Sequence, residues 1–194
     1  MGNKFEYTKL LAPTEMAEIR KGTMLHVQKI IGKKITLKTL APEQFEQYHS
    51  MLSPIVRDIL HLPSSTFEET KTFLKERLEK QKQEKTLFYT IFDNVDKKII
   101  GSIEIRDPED NPGQLGSWLN ENYWGGGRYQ EVLALSTKAY FDWKQVDQIN
   151  AHVDVTNIRS IKAHQKFGFE IVEKFKRDNR MVYNMILKKK KNNS

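Results

Sequence analysis

Apolar side chains recur along this chain at two alternating spacings, and the changes from one to the other mark out strands and helices. Ile35-Thr36-Leu37-Lys38-Thr39-Leu40 alternates apolar and polar positions, as a half-buried strand does. Pro42 suits the first turn of a helix that continues through Phe45, Tyr48 and Met51. Thr66-Phe67-Glu68-Glu69 has the spacing of a capping box, ahead of a helix carrying Phe73, Leu74 and Leu78. Leu87 to Phe92 and Lys98 to Arg106 read as adjacent strands joined across Asn94-Val95-Asp96, and Leu115 to Leu119 as a short strand. Val132, Leu133, Leu135, Ala139, Tyr140 and Trp143 return to helical spacing. Gln148 to Val155 predicts a strand, Ile158 to Phe167 a helix, and Phe169 to Lys174 and Met181 to Leu187 two final strands. The first thirty residues are poorly patterned, with Ala12-Pro13-Thr14 suggesting a short helix through Ala17 and Ile19. No internal repeat interrupts the series. The expected fold class is α/β (α+β), a single mixed, mostly antiparallel central sheet flanked by helices.

The chain has 194 residues, enough for one domain with a substantial core and tight for two. The expected organisation is an extension over residues 1–30, a domain over 31–188 and a basic tail over 189–194. Hydrophobic residues make up 38% and charged residues 29%, and no segment approaches a membrane span, so no membrane partner is expected. There is no early apolar run with a small-residue cleavage site and no cysteine, so secretion, disulfides and thiolate metal sites have no support. The expected compartment is the cytoplasm, with no metal. Lys and Arg total 32 against 25 acidic residues, a net charge of +7 that favours anionic partners such as nucleic acid or a phosphorylated cofactor. Part of the excess is Lys188 to Lys191, which reads as a solvated tail. Basic residues interleaved with aromatics on one strand face, which nucleic acid would require, are absent from the pattern, so nucleic acid is disfavoured.

The chemistry begins at Tyr123-Trp124-Gly125-Gly126-Gly127-Arg128-Tyr129-Gln130-Glu131, between a predicted strand and a predicted helix. Glycines there permit positive φ and close approach of a ligand to the main chain, and the helix start offers free N–H groups and the positive end of its dipole. The alternative is a solvent-exposed turn. A Walker loop would need Lys and then Ser or Thr after its last glycine, where Arg128-Tyr129 stands; the dinucleotide fingerprint fails because Gln130 occupies its third glycine position. Downstream, Asn157 can cap the helix at Ile158, and Asn157, Ser160 and His164 fall along one helical face. Each could equally be a cap, a first-turn hydroxyl and a surface imidazole. Gly168 in Phe167-Gly168-Phe169 is a natural left-handed helix stop.

These two motifs, in this order, resemble those of the GNAT superfamily of acetyl-CoA-dependent N-acetyltransferases, and more closely its ribosomal-protein N-terminal acetyltransferase branch. That branch's loop runs Tyr-Trp-Gly-Lys-Gly-Tyr-Ala-Thr-Glu, and its second motif, Asn-x-x-Ser ending in Lys-x-Gly-Phe, is similar to Asn157, Ser160, Lys166, Gly168 and Phe169. Ile100-Gly101-Ser102-Ile103 and Leu115-Gly116-Ser117-Trp118-Leu119 are similar as well, and the likeness covers Ile35 to Lys188. The resemblance implies that the backbone of Gly125, Gly126, Gly127, Arg128, Tyr129 and Gln130 holds the CoA diphosphate. It also implies that Trp118, Leu119 and Asn120 pair with the pantetheine arm, and that Asn157 and Ser160 contact the cofactor. Tyr129 departs from the family's Gly or Ala, so either the diphosphate is displaced or the ring points away. Gly126 replaces a basic residue, whose charge Arg128 could supply. His164 stands where many members carry a tyrosine acid, and an imidazole of ordinary pKa about 6.5 could protonate the leaving thiolate.

The implied reaction is direct attack of a neutral amine on the acetyl thioester, the amine being a protein N-terminus or a small molecule. Glu104, on a central strand, is the expected base if it faces a cleft; Ile103 and Ile105 point the other way. Gln114 sits near the usual place of a glutamate and cannot act as a base, so water alone is the alternative. A CoA-binding or interaction module with little turnover is the other reading of the same fold. The chain is expected as a monomer or homodimer, with acceptor choice set by the segment from Pro42 to Lys82 and by Asp107 to Asp110.

Overall fold

A computed structural model describes residues 29–62, 66–107 and 113–189. The short helix suggested at Ala12–Ile19, most of the basic tail and the loop positions beyond Asp107 up to Asp110 lie outside the described residues. Among the described residues eight strands form one sheet: β1 (Lys29–Ile31), β2 (Ile35–Lys38), β3 (Thr86–Asp93), β4 (Ile99–Arg106), β5 (Gln114–Leu119), β6 (Gln148–Asp154), β7 (Glu170–Arg177) and β8 (Arg180–Lys188). The helices are α1 (Phe45–Ser50), α2 (Pro54–Leu60), α3 (Phe67–Lys82), α4 (Arg128–Trp143) and α5 (Ile158–Phe167). The spatial order is β1-β2-β3-β4-β5-β6-β8-β7. Every neighbouring pair is antiparallel except β5 and β6.

The sequence did not announce β1 or α2. The helix expected from Pro42 is a 3-10 turn over Pro42–Gln44 that continues as α1 and then stops. Ser53, whose hydroxyl accepts from the Val56 amide at 3.2 Å, starts α2 with Pro54 in its first turn. The capping box ahead of α3 forms as expected, with Glu69 N donating to Thr66 Oγ1 at 3.2 Å and Thr66 N to Glu69 Oε2 at 2.7 Å.

The sheet separates two cores. Ile103, Ile105, Leu115 and Leu119 pack with Val132, Leu133 and Tyr140 of α4 and Ile161 of α5. On the opposite face Phe88, Phe92, Ile99 and Trp118 pack with Phe45 and Tyr48 of α1, Val56 of α2 and Leu74 of α3. Ile91 and Phe92 pair with Gly101 and Ile99, so Ile100 is an extra residue. That bulge resets the alternation, which is why Ile100 and Ile103, three positions apart, share one core.

The site is set by β5 and β6. They are held in register only at Gln114 with Asn150 and Leu115 with Ala151, and beyond Leu115 the strands part. Gly116 to Leu119 remain paired to β4 on one side while their other edge opens into a fissure. The N-terminus of α4 and the first turn of α5 lie along it, and α1 to α3 cover the sheet's opposite face.

Candidate active site

The loop into α4 leaves β5 at Asn120, whose side-chain oxygen accepts from Asn122 N at 3.1 Å, and Trp124 Nε1 donates to Leu119 O at 2.9 Å. Gly125, Gly126 and Gly127 then take φ of +85°, +60° and +80°, three successive left-handed residues that only glycine adopts without strain. A Cβ on Gly125 would meet open space, and one on Gly127 would come within 3.1 Å of Lys34 Nζ. Gly127 is the N-cap of α4, with no side chain to cap it. Arg128 N reaches Gly125 O at 3.4 Å, and no side chain caps the first-turn amides of this 16-residue helix, which begins at a surface formed by glycines.

Two cationic side chains, Arg128 and Lys34, stand at this loop. Arg128 Nε lies 2.6 Å from Asp93 Oδ1, whose side chain is almost fully buried. Burial would raise the Asp93 pKa, but the hydrogen bonds from Arg128 and from the amides of Asp96 and Val95 outweigh it and hold the carboxyl below its usual range. Arg128 is thus engaged as the partner of a buried carboxylate. A second cation at the loop is Lys34, whose ammonium donates to Gly126 O, while Arg128 Nη1 would stand 3.1 Å from a Cβ on Gly126. The β1–β2 turn is fixed there by the Glu131 carboxylate, which accepts from Lys33 N and, at 2.9 Å, from Lys34 N. Gly32 makes the approach possible, since a Cβ on it would fall 2.5 Å from Glu131 Oε1. The only sequence signal for Lys34 was the Gly-Lys-Lys ahead of the first alternating strand.

Tyr129, in the first turn of α4, turns its ring inward. Its hydroxyl lies 2.7 Å from Ser117 Oγ on β5 and 3.3 Å from His164 Nε2 on α5, so it bridges the fissure. The rings of Tyr129 and His164 meet edge to face with centroids 5.6 Å apart. Burial pushes the Tyr129 hydroxyl up to about 12, its bond to Ser117 opposing. His164 is buried, at 3% exposure, and burial lowers its pKa against the opposing pull of the Ser160 carbonyl. Its Nδ1 is 2.8 Å from Ser160 O. A carbonyl only accepts, so Nδ1 carries the ring proton and Nε2 is the acceptor. Burial thus holds the imidazole below its ordinary pKa, which favours the neutral ring with its proton on Nδ1.

Asn157, Ser160 and His164 do share one face, and all three line a cavity of about 760 Å³. Asn157 Oδ1 accepts from Ser160 N at 3.1 Å, so its side chain caps α5. The cavity runs from Ser117 and His164 across the opening of the sheet to Glu104 and on to Leu60 and Phe73 on the α1–α3 side. Glu104 points into it, opposite Ile103 and Ile105, as the alternation required. Its carboxylate is buried and already shared: Thr86 Oγ1 at 3.0 Å, Arg77 Nε at 3.4 Å and Arg106 at 3.4 Å. Sequence reasoning missed Arg77, which projects from α3 and stacks over Phe73 at 4.8 Å. It also missed Tyr48, whose hydroxyl lies 2.9 Å from Ser102 Oγ and accepts from Trp118 Nε1 at 3.1 Å. Trp118 and Leu119 are buried in opposite cores, and Asn120 Nδ2 donates to Met51 O at 3.0 Å. Gln130 donates from its side chain to Ala163 O at 2.9 Å, joining α4 to α5. Among the described residues no cluster of His, Cys, Asp or Glu is placed to hold a metal, and no helix is long and apolar enough to cross a membrane.

A split sheet, a glycine-built helix start beside the split and a cavity lined by residues from both sides of the opening therefore lie together. The chain belongs to the GNAT family of acetyl-CoA-dependent N-acetyltransferases: residues 34–170 match the acetyltransferase (GNAT) domain. It is 30% identical over 142 residues to the SPbeta prophage-derived uncharacterized N-acetyltransferase YokL of Bacillus subtilis (strain 168), covering 71% of this chain and 77% of that protein. The fold is similar to that of a GNAT-family acetyltransferase from Bacillus anthracis, with TM-score 0.71, 17% identity and coverage of 82% of this chain and 98% of that one. It is also similar to the Salmonella typhimurium acetyl transferase that modifies the N-terminal serine of ribosomal protein L7/L12, with TM-score 0.71, 14% identity and coverage of 82% and 97%. The microcin C7 self-immunity acetyltransferase MccE, solved with acetyl-CoA and AMP, has TM-score 0.68 at 17% identity, over 81% of this chain and 93% of that one.

Proposed function

We propose that the protein transfers the acetyl group of acetyl-CoA to a primary amine, a protein N-terminus or a small molecule, that enters from the α1–α3 side. The observation that supports this most is the parting of β5 and β6 after Leu115 directly beside the uncapped start of α4. In this reading the diphosphate lies on the amides of Gly125 to Gln130, with Lys34 supplying the cation that Gly126 lacks. The pantetheine arm runs down the free edge of β5 at Trp118, Leu119 and Asn120, past Asn157 and Ser160 to the fissure.

The amine nitrogen attacks the carbonyl carbon, the C–S bond breaks and sulfur leaves with the electron pair. The amine must reach the thioester neutral, and of the carboxylates that line the cavity, Glu69, Glu104, Asp154 and Asp178, Glu104 is the one on the central strand and is proposed to take its proton, directly or through water. A CoA-binding module with little turnover is the second reading, and the pairing of Glu104 with Arg77 and Arg106 is what favours it.

Calorimetric titration with acetyl-CoA, followed by a screen of amines and peptide N-termini read by release of the CoA thiol, separates the two. Binding with turnover on at least one acceptor is expected. Binding with no acceptor in either class would establish the module, and no affinity for acetyl-CoA would remove both.

A further inference from the structure

We propose that the hydroxyl of Tyr129, held across the fissure by Ser117 and His164, is the group that protonates the departing CoA thiolate. His164 acts here as a positioning residue. This rests on the acetyltransferase reading above.

The direction of the hydrogen-bond chain can be read from one end. His164 Nδ1 donates to Ser160 O, so Nε2 accepts, and the hydrogen at 3.3 Å must come from Tyr129. Tyr129 Oη then accepts from Ser117 Oγ at 2.7 Å. The proton therefore resides on Tyr129, and His164, neutral by burial, has none to give at Nε2. A phenol kept well above neutrality by burial is fully loaded at working pH. Ser117 and His164 both line the cavity and Tyr129 does not, so the hydroxyl lies directly behind these two side chains, and a thioester sulfur meets it by coming to the gap between them.

When the C–S bond breaks, sulfur departs with the bonding pair and takes the proton of Tyr129 Oη, whose C–O bond turns the hydrogen from His164 towards the sulfur. The tyrosinate left behind accepts from Ser117 and is reloaded by a proton from solvent, equivalent to the one the amine gave up. The products are the acetylated amine and the free thiol. His164 contributes by fixing where the hydroxyl points before the sulfur arrives, and Ser160 O fixes the tautomer of His164.

The test uses the intact protein with acetyl-CoA bound and hydroxylamine as a small acceptor that needs no acceptor pocket, reading thiol release in a single turnover. Tyr129→Phe keeps the ring and should slow release by about a hundredfold, with acetyl-CoA affinity within about threefold of the parent. His164→Phe should slow it by about tenfold, and His164→Gln, which restores an acceptor for the hydroxyl, should recover most of that loss. Because the two residues act as a unit, His164→Phe added to Tyr129→Phe should cost little further. Thermal melting of each variant reports folding independently of rate. Release by Tyr129→Phe at the parental rate overturns the assignment while leaving the acetyltransferase reading intact. Losses that multiply in the double variant also overturn it, because His164 would then deliver a proton of its own. A parent that fails to bind acetyl-CoA removes the reading beneath and this inference with it.

Discussion

Helices α4 and α5 both begin beside the fissure, and they end their free amides in opposite ways. At α5 the chain supplies its own acceptor: Asn157 Oδ1 takes the Ser160 amide. At α4 the N-cap is Gly127, which has no side chain, in a run of left-handed glycines. An N-terminus satisfied by its own cap is a structural joint, whereas one left open at an accessible surface is where an anion gains most. Two motifs that look equivalent as cofactor contacts in the sequence therefore divide: the first offers main-chain donors, and the second shapes the wall along which the cofactor would lie.

The sharpest break in this comparison would come from Arg128, which stands at the open helix start yet pairs with a buried carboxylate. Arg128→Ala should lower stability by about 3 kcal/mol, because Asp93 would be left buried without its charged partner. Thermal or urea unfolding measures this. Acetyl-CoA affinity, measured where the variant is folded, should change little. An unchanged midpoint with a large loss of affinity would return Arg128 to the diphosphate and leave Lys34 without that task.

Gly127→Asp probes the open start directly. A carboxylate beside the free amides would occupy and repel the place of the diphosphate, and affinity for acetyl-CoA should fall by about a hundredfold. Gly127→Asn carries nearly the same backbone strain at φ +80° without the charge, so the gap between the two variants in calorimetry isolates electrostatics. Equal affinities in parent and Gly127→Asp would mean that the loop holds no phosphate.

What could be read from the sequence follows how local each requirement is. The glycine run, the Asn157 cap, the Gly168 stop at φ +118° and the Thr66 capping box each depend on residues within one turn, and all four take the expected local form. Glu104 could be placed on its face because strand alternation is local too, but the guanidinium of Arg77 beside it comes from a different helix. Tyr129 shows the limit most clearly. Its helix was legible, yet the direction of its ring depends on Ser117 and His164, 12 and 35 positions away. The short α2 escaped notice because a single apolar face over seven residues gives little periodicity, and only the Ser53-Pro54 start marks it. Lys34 reaches the loop from 92 positions away, and no spacing rule could have joined them.

At the capped helix start the expected loss is smaller. Asn157→Ala should cost about 1 kcal/mol of stability, the ordinary value of an N-cap, measured by unfolding. Acetyl-CoA affinity should fall by less than in Gly127→Asp, since in the proposed reading the donors that meet the diphosphate belong to α4. A loss of affinity as large as that of Gly127→Asp would make Asn157 a principal ligand and erase the distinction between the two starts.

The smallest effect expected is at Lys34, and it tests how the open start is charged. The ammonium is exposed and engaged with Gly126 O, so in the proposed reading it adds a screened attraction to a site whose main donors are backbone amides. Lys34→Met retains an apolar stem of similar length and should weaken acetyl-CoA by about threefold at low salt, with the difference shrinking as salt is raised. Titrations of parent and variant at two ionic strengths decide the point. A salt-independent loss would mean that Lys34 acts by holding the β1–β2 turn against the loop, through the shape of the loop and not its charge. No loss at either ionic strength would leave the glycine-built amides and the dipole of α4 as the whole of the anion site.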